Sequence, residues 1–288
     1  MDWNFLFVNS LNGIIYGSFL ALTSLGLSLV FGLGRVVNFA HGVLYALGGY
    51  FFIIFLPSLG WSAMLFAPLV VVPLAIAMEW LTIAPIRNRD EIYTLLVTFG
   101  LSFMITGAIE YLWGTETTLI KPPVIFQGTV DILGNQFPVY RLFASTLSLL
   151  VTGLVFVFIQ FTPVGLKIRA ITDDNEMAEA LGINTRWLLT SIFGGAAGFA
   201  AFAGALGAPI FSVEPEMGMG IIIDSFLAVI LGGLGHLPGT AVGAFIVALA
   251  KSIGGGYIAE WAIAVLFLVV AAIMVLRPKG VFGRGRIA

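Results

Sequence analysis

Polar groups that could do chemistry are concentrated in three parts of this sequence. The longest strongly polar stretch is PVGLKIRAITDDNEMAEALGINTRW, residues 163–187. Residues 38–42, NFAHG, combine an amide, an aromatic ring and an imidazole. Asp224 stands directly after three isoleucines. These residue types bind solutes, relay protons or contact partner proteins, so they are the candidates for a functional site.

The sequence lacks the common signatures of catalysis and of bound cofactors. It has no P-loop pattern, no GxSxG elbow and no histidine pair at metal-binding spacing. It has two histidines, His41 and His236, and no cysteine, which excludes disulfides, thiolate metal sites and cysteine nucleophiles. We therefore expect a chain that is not an enzyme and that binds no metal and no cofactor of its own.

The polar stretch at residues 163–187 predicts a short helix that lies in water. Asp173 precedes Glu176 by three residues, which suits a reciprocal cap at the amino end, and Gly182 suits the carboxyl end. One small apolar face would comprise Met177, Ala178 and Leu181. Such a helix can dock into a groove on another protein. The alternative is a cytoplasmic loop helix with no further role.

The segment at residues 38–42 allows two interpretations. Asn38, Phe39, His41 and Gly42 could line a polar break in a helix that gates a path through the membrane. Alternatively, Asn38 could simply cap the start of a helix, with His41 near the membrane surface. Composition does not separate these two interpretations.

Ionisable groups in the apolar segments are scattered along the sequence. Glu79 and Glu110 lie near the ends of apolar runs, and Glu260 lies near a loop edge. A carboxylate at Asp224 inside the bilayer would be costly and would face a cavity or a polar partner, yet no partner is evident. We favour a position of Asp224 at the water boundary, because a polar loop lies only a few residues away.

Composition assigns the chain to the integral membrane proteins. Of its 288 residues, 59% are hydrophobic and only 10% are charged, whereas soluble domains carry about 25% charged residues. Spans of roughly 20 apolar residues leave room for about eight to ten helices. We expect an all-α polytopic membrane protein that forms a single transmembrane domain over residues 1–288, with some helices short or broken. The net charge of −2 gives no indication of a nucleic-acid partner.

The apolar runs predict nine spans with the amino terminus outside. The spans are expected at residues 12–32, 38–55, 62–83, 92–113, 141–162, 187–209, 221–231, 241–251 and 257–276. Residues 114–140 form a longer external loop, in which Gly134-Asn135 predicts the tip of a hairpin. The two spans between residues 221 and 251 are short and interrupted by glycine, so they could instead be re-entrant or broken.

The basic residues predict which side of the membrane each loop occupies. Ten of them fall on one side: Arg35, Arg87, Arg89, Lys167, Arg169, Arg186, Arg277, Lys279, Arg284 and Arg286. Three fall on the other side: Lys121, Arg141 and Lys251. Cytoplasmic loops carry the excess of Lys and Arg. The polar stretch and the carboxyl terminus are therefore predicted to be cytoplasmic.

Several segments follow one another in a familiar order along nearly the whole chain. They are YGSFLALTSLGLSLVFG, VVNFAHGVLYALGGY, GLKIRAITDDNEMAEALGIN, LAVILGGLGHLPGTAVGAF and LRPKGVFGRG. They resemble parts of the H-type (LivH-like) permease subunits of branched-chain amino-acid ABC importers. The first segment resembles the first span of that family, the second its signature, the third its cytoplasmic coupling segment, and the last two its closing motifs. His236-Leu237 departs from that pattern, in which a small polar residue and an aliphatic residue are expected.

This resemblance implies the permease subunit of an ATP-driven importer of branched-chain or related amino acids in a bacterial inner membrane. Its partners would be a second related permease, two cytoplasmic ATPase subunits that bind the ATP, and an external substrate-binding protein. Coupling to the ATPase would involve Arg169, Asp173, Glu176, Ala180, Leu181 and Gly182. The translocation path would include Asn38, Phe39, His41, Gly42 and Asp224.

The implied mechanism is alternating access, in which ATP-driven closure of the partner ATPases pushes the coupling segment and tilts the spans on either side. Close packing of span six during that motion would use Gly194, Gly195, Gly198 and Gly204. In the first span, Gly13, Gly17 and Ala21 recur every four residues and predict a similar close contact.

Two other classes of protein are alternatives. An autonomous secondary carrier or channel would need buried, paired ion-coupling groups, for which Asp224 and His41 are the candidates. A membrane enzyme would need a cluster of acid–base groups or metal ligands, and the sequence offers none.

Overall fold

The computed structural model describes residues 3–34, 36–87, 89–257, 261–278 and 280–282, and most of them are helical. The α-helices are α1 Trp3–Gly34, α2 His41–Leu59, α3 Ala63–Met78, α4 Glu91–Trp113, α5 Val139–Phe161, α6 Pro163–Asp173, α7 Asn175–Ala180, α8 Thr185–Phe211, α9 Met217–Gly232, α10 Leu237–Tyr257 and α11 Ala262–Leu276. The β-strands are β1 Thr129–Ile132 and β2 Asn135–Pro138.

Each of the nine predicted spans coincides with one of the longer helices. In the described part of the chain, six helical stretches are long and apolar enough to cross a bilayer, and His41–Ile86 combines α2 and α3 in one such stretch. The apolar helices Met217–Gly232 and Ile263–Leu276 are shorter. The predicted all-α polytopic membrane fold is therefore confirmed.

The boundaries of the last three spans differ from the predicted ones. Helix α9 begins at Met217 rather than at residue 221, and α10 covers Leu237–Tyr257 rather than 241–251. Helix α11 begins at Ala262, five residues later than predicted. The added turns of α9 and α10 contain glycines that make close contacts, since Gly218 lies against the Gly42 backbone and Gly256 against Asn9. Tertiary packing outweighs the low helix propensity of glycine at such positions.

The chain divides into two compact units, each assembled from separate segments. The first unit comprises Met1–Leu25, Lys121–Thr152 and Ile223–Ala288, and the second comprises Gly26–Ile120 and Gly153–Ile222. The polar stretch and residues 38–42 belong to the second unit, whereas Asp224 belongs to the first. Four of the basic residues predicted to be cytoplasmic (Arg35, Lys279, Arg284 and Arg286) and Glu260 lie outside the described residues.

The second unit is built on close packing of α2, α3 and α8. A side chain at Gly48 would collide with the backbone of Ala201, and one at Gly204 would collide with the Tyr45 carbonyl oxygen. Small residues thus bring α2 and α8 into backbone contact, as is common between helices in lipid.

Three of the four glycines predicted to allow close packing of α8 do so. Besides Gly204, Gly194 lies against Ile76, and Gly198 lies against Val72. Gly195 is the exception, because a Cβ placed there would have no neighbour within 4 Å in the described chain. The predicted role of Gly195 in close packing therefore stays a prediction.

The first unit joins α1 to α10 and folds α9 and α10 into a helical hairpin. Gly13 lies against Leu249, and Gly17 lies against Phe245, which confirms the predicted small-residue face of the first span. In the hairpin, Gly243 meets the Ala228 backbone. The connection between α9 and α10 is a tight turn, in which Gly233 and Gly235 adopt positive φ angles of 95° and 77°.

Residues 129–138, in the loop predicted to be external, fold into the predicted hairpin, with its tip one residue earlier than predicted. Strands β1 and β2 pair in antiparallel register from Thr129 opposite Pro138 to Ile132 opposite Asn135. The two turn residues are therefore Leu133 and Gly134, with φ angles of 54° and 81°. The Asp131 carboxylate accepts a hydrogen bond from the Gly134 amide at 2.9 Å and stabilises this turn.

The contrast between Gly204 and Gly195 yields a test of the helix packing. We expect Gly204→Ala to lower the thermal stability of the purified protein in detergent, by roughly 1–3 kcal/mol, because the added methyl group overpacks the contact with α2. Gly195→Ala in the same helix is the matched control and should leave the unfolding temperature unchanged or raise it. Equal destabilisation by both substitutions would contradict the backbone contact.

Candidate coupling segment and translocation-path residues

The polar stretch contains two helices where the sequence predicts one. Helix α6 begins after Thr162, whose hydroxyl oxygen accepts a hydrogen bond from the Gly165 amide at 3.1 Å, and Pro163 occupies its first turn. Asp174 then adopts an extended conformation, with φ −153° and ψ 104°, and separates α6 from α7.

Helix α7 is capped at both ends by residues of the polar stretch. The Asp174 carboxylate accepts a hydrogen bond from the Met177 amide at 3.0 Å. The prediction that Asp173 caps the helix is therefore wrong by one residue, since Asp173 ends α6. Gly182 has a φ angle of 83°, and the Ile183 amide donates to the Ala178 carbonyl oxygen at 3.1 Å. This geometry confirms Gly182 as the helix stop.

One face of α7 is exposed and carries apolar side chains. Met177 and Leu181 are 57% and 75% exposed, and Ala180, which shares their face, is exposed as well. Ala178 was predicted to belong to the same face, but it is buried. Exposed Leu and Met on a polar, capped helix is the arrangement expected of a surface that binds another protein.

Arg169 anchors α6 to the end of α5. Its guanidinium donates hydrogen bonds to the Ile159 carbonyl oxygen and, at 3.1 Å, to the Gln160 carbonyl oxygen. These carbonyl groups belong to the last turn of α5, where a cation is favoured by the helix dipole. Gly165 brings the α6 backbone against Ile159, where a side chain would collide. Arg169 therefore contacts its own chain, and its predicted contact with an ATPase stays a prediction.

The other end of the coupling segment is tied to α8. The Thr185 hydroxyl donates to the Glu179 carboxylate, which links α7 to the first turn of α8. Asn184 caps α8 by accepting a hydrogen bond from the Trp187 amide at 3.1 Å. Helix α7 is thus fixed at one end to α6 and at the other end to α8, while Asp173 and Glu176 are exposed to solvent.

A buried ion pair connects α3 with α8 near the coupling segment. Glu79 lies in a π-helical turn, Glu79–Ile83, and is 1% exposed. Its carboxylate pairs with the Arg87 guanidinium and accepts a hydrogen bond from the Thr190 hydroxyl at 2.8 Å. No local pattern in the sequence predicts this cluster, because Thr190 is 111 residues away from Glu79.

The segment at residues 38–42 does not form the predicted cap. Helix α2 begins at His41 after Ala40, which makes no side-chain cap. Asn38 is 1% exposed, and both polar atoms of its amide lack a hydrogen-bond partner within the described chain. The Phe39 amide donates to the Thr98 hydroxyl at 3.1 Å. The segment is therefore a buried polar break before α2.

The last two residues of this segment are held by close packing. His41 is 1% exposed, and Gly42 meets the backbone of Gly218 so closely that a Cβ would collide with its carbonyl oxygen. His41 therefore lies in the interior of the second unit rather than near its surface.

Asp224 is buried and paired, in contrast to the favoured prediction. Because α9 begins four residues earlier than predicted, Asp224 lies about two turns into the helix. It is 3% exposed, so its placement at the water boundary is wrong. The carboxylate binds the ammonium of Lys251 and the hydroxyl of Tyr16, each at 2.5 Å. The sequence did not reveal these partners because they lie on α10 and α1.

These features define an integral membrane transport subunit. Long apolar helices surround a few buried polar groups, and a capped polar segment presents an exposed apolar face. No group of three metal-ligating side chains is assembled among the described residues. The chain belongs to the family described as branched-chain amino acid transport system / permease component, whose model matches residues 9–276.

Relatives with the same overall length support this assignment. The chain is 27% identical over 291 residues to the high-affinity branched-chain amino acid transport system permease protein LivH of Escherichia coli. The matched region covers 95% of this chain and 94% of that relative. It is 26% identical to the corresponding permease protein BraD of Pseudomonas aeruginosa, with the same coverage. A probable LivH of Methanocaldococcus jannaschii is 28% identical over 94% of this chain and 90% of the relative.

The chain is therefore a permease subunit of an ABC importer, and it is a transport subunit rather than an enzyme. The predicted resemblance to LivH-like permeases is confirmed. Membership of this family sets aside the alternative of an autonomous carrier.

The Glu79 ion pair yields a second prediction. Glu79→Ala should lower the free energy of unfolding by roughly 3 kcal/mol, because it leaves the largely buried Arg87 guanidinium without its partner. The double variant Glu79→Ala/Arg87→Met removes both charges and should recover part of that loss. Thermal unfolding of the purified variants in detergent measures both effects. Identical unfolding temperatures for the single and double variants would contradict the pairing.

Proposed function

We propose that this subunit imports branched-chain amino acids or closely related amino acids. The support comes from the full-length similarity to permeases whose names state branched-chain amino acid transport. In this proposal the chain pairs with a second related permease, and two cytoplasmic ATPase subunits bind and hydrolyse the ATP. An external binding protein delivers the substrate. The whole chain acts as a single transmembrane permease domain that requires no cofactor of its own.

The proposed location is the cytoplasmic membrane, with the coupling segment and the carboxyl terminus on the cytoplasmic side. The excess of Lys and Arg on that side supports this orientation. The hairpin of β1 and β2 then lies outside, where the binding protein delivers the substrate.

The observation that carries the coupling proposal is the exposed apolar face of α7. Met177, Ala180 and Leu181 form this face, and hydrogen bonds from Asp174 and around Gly182 fix the ends of the helix. A capped helix loses little conformational entropy when it docks, so it suits a groove on an ATPase subunit. Asp173 and Glu176 would flank the contact as exposed carboxylates.

The hydrogen bonds around α7 suggest how ATP hydrolysis moves the spans. Arg169 joins α6 to the last turn of α5, and Glu179 joins α7 to Thr185 at the start of α8. A displacement of α7 by the ATPase subunits would therefore be transmitted to both helices. Glu79 would extend the displacement to α3 through its hydrogen bond with Thr190. Such shifts of packed helices switch a path between two orientations.

We place residues 38–42 on the translocation path of the second unit. Support comes from the Asn38 amide, which is buried without a hydrogen-bond partner in the described chain. A buried, unsatisfied amide is costly in a structural role and is useful where a polar solute passes. Phe39, His41 and Gly42 continue the same polar break.

Ala180→Arg tests the coupling proposal. A charge that is desolvated without a partner at an interface costs several kcal/mol, so ATP-dependent uptake by the reconstituted importer should fall by about tenfold or more. The matched control, Ala180→Ser, keeps a small side chain and should transport normally. Both variants should be recovered from the membrane in wild-type amounts, because Ala180 is exposed. Normal uptake by Ala180→Arg would count against the coupling role of α7.

A further inference from the structure

Lys251 carries a partly exposed ammonium group inside an apolar helix. Its side chain is 43% exposed, whereas the side chain of its partner Asp224 is 5% exposed. A charged group on a membrane-spanning helix is costly against lipid, so it faces a polar cavity, another protein or, through a long side chain near a helix end, the membrane surface. The exposed side of Lys251 therefore marks a polar surface of the first unit.

The ammonium of Lys251 is held in a fixed position by two neighbours. It lies 2.5 Å from the Asp224 carboxylate and 5.1 Å from the centroid of the Tyr16 ring. The Tyr16 hydroxyl also donates to the same carboxylate oxygen at 2.5 Å. An ammonium has three N–H donors, and Asp224 accepts only one of them in this geometry. The remaining donors can bind an anionic group at the exposed side.

Backbone contacts explain why these residues meet. Gly239 and Gly243 bring α10 against α9 at Gly232 and Ala228. Side chains on a helix lean toward its amino end, so Lys251 reaches back by one turn to the level of Asp224. Gly17 brings α1 against α10 and places the neighbouring Tyr16 beside the pair.

The pair lies at a depth where a solute entering from outside would pass. Asp224 follows the start of α9 by about two turns, and Lys251 precedes the end of α10 by nearly the same distance. Both ends lie away from the turn that joins the two helices. In the proposed orientation, the pair therefore lies in the outer half of the membrane, roughly 10 Å below its surface.

We propose that Lys251 binds the carboxylate of a zwitterionic amino acid during its passage, with Asp224 and Tyr16 as positioning residues. The pair is neutral without substrate, so the cost of a charge in the membrane is offset by Asp224. A zwitterion adds no net charge when its carboxylate meets the ammonium, whereas a simple carboxylate would. This inference rests on the proposed function, because it assumes an amino-acid substrate.

The test uses the complete importer in proteoliposomes, with its ATPase subunits and binding protein, and radiolabelled L-leucine as the probe. Lys251→Gln should lower leucine uptake by roughly tenfold or more, the effect of losing a charged hydrogen bond. Lys251→Arg should retain most of the uptake. Stimulation of ATP hydrolysis by the binding protein should persist in both variants, since the coupling segment is intact.

The double variant Asp224→Asn/Lys251→Gln separates binding from a structural role. If the pair only stabilises the fold, neutralising both residues restores uptake and assembly, and the inference is overturned. If Lys251 instead contacts the second permease, the double variant fails to assemble, which also overturns the inference. If Lys251 binds substrate, the double variant assembles and hydrolyses ATP but stays deficient in uptake. Normal uptake by Lys251→Gln would also overturn the inference.

Failure of the proposed function gives a different result. A wild-type importer that takes up no L-leucine in the presence of ATP would contradict the substrate assignment on which the inference depends. Wild-type uptake together with normal uptake by Lys251→Gln contradicts only the role of Lys251.

Discussion

A charge inside an apolar bundle is stable only where the fold supplies a partner, and this constraint shapes the functional parts of the chain. With 10% charged residues, the protein places few such groups among its helices. Glu79 meets Arg87 and Thr190, and Asp224 meets Lys251 and Tyr16. Each cluster joins different helices, so removing Arg87 or Lys251 leaves a buried carboxylate without its cation. Charge pairing therefore contributes to the helix arrangement in each unit alongside apolar packing.

Small residues are the second feature that sets the helix arrangement, because they allow close contacts between helices. Between helices in lipid the hydrophobic effect provides little attraction, so close van der Waals contact matters more. Gly48 and Gly204 allow α2 and α8 to touch through their backbones, and Gly243 does the same for α9 and α10. Contacts of this kind depend on shape and can shift by small steps, which suits a protein that must alternate between two states. The same contacts position the buried clusters described above.

Local sequence signals predicted the helices and the hairpin well, but they did not predict contacts between residues that are distant in sequence. The membrane class, the helical spans, the hairpin and the Gly182 stop follow from composition, periodicity and glycine chemistry, all of which act over a few residues. Asp173 was chosen as the cap because it precedes Glu176 by three residues, and only the extended backbone at Asp174 shows that Asp174 is the cap. Asp224 was placed at the water boundary because a polar loop lies close by in sequence, whereas its partner Lys251 lies on a different helix. The two interpretations of residues 38–42 stayed open for a similar reason, since the Thr98 hydroxyl that binds the backbone there lies on α4.

In the proposed function, the exposed face of α7 is the surface through which ATPase subunits move this permease. Because the chain contains no cysteine, Met177→Cys gives a single site for an environment-sensitive fluorophore, and Gln136→Cys in the external hairpin gives an exposed control. The account predicts that binding of the ATPase subunits shields the fluorophore at position 177 from a soluble quencher and leaves position 136 unchanged. A complex that transports amino acids while the fluorophore at position 177 stays fully accessible to the quencher would contradict the account.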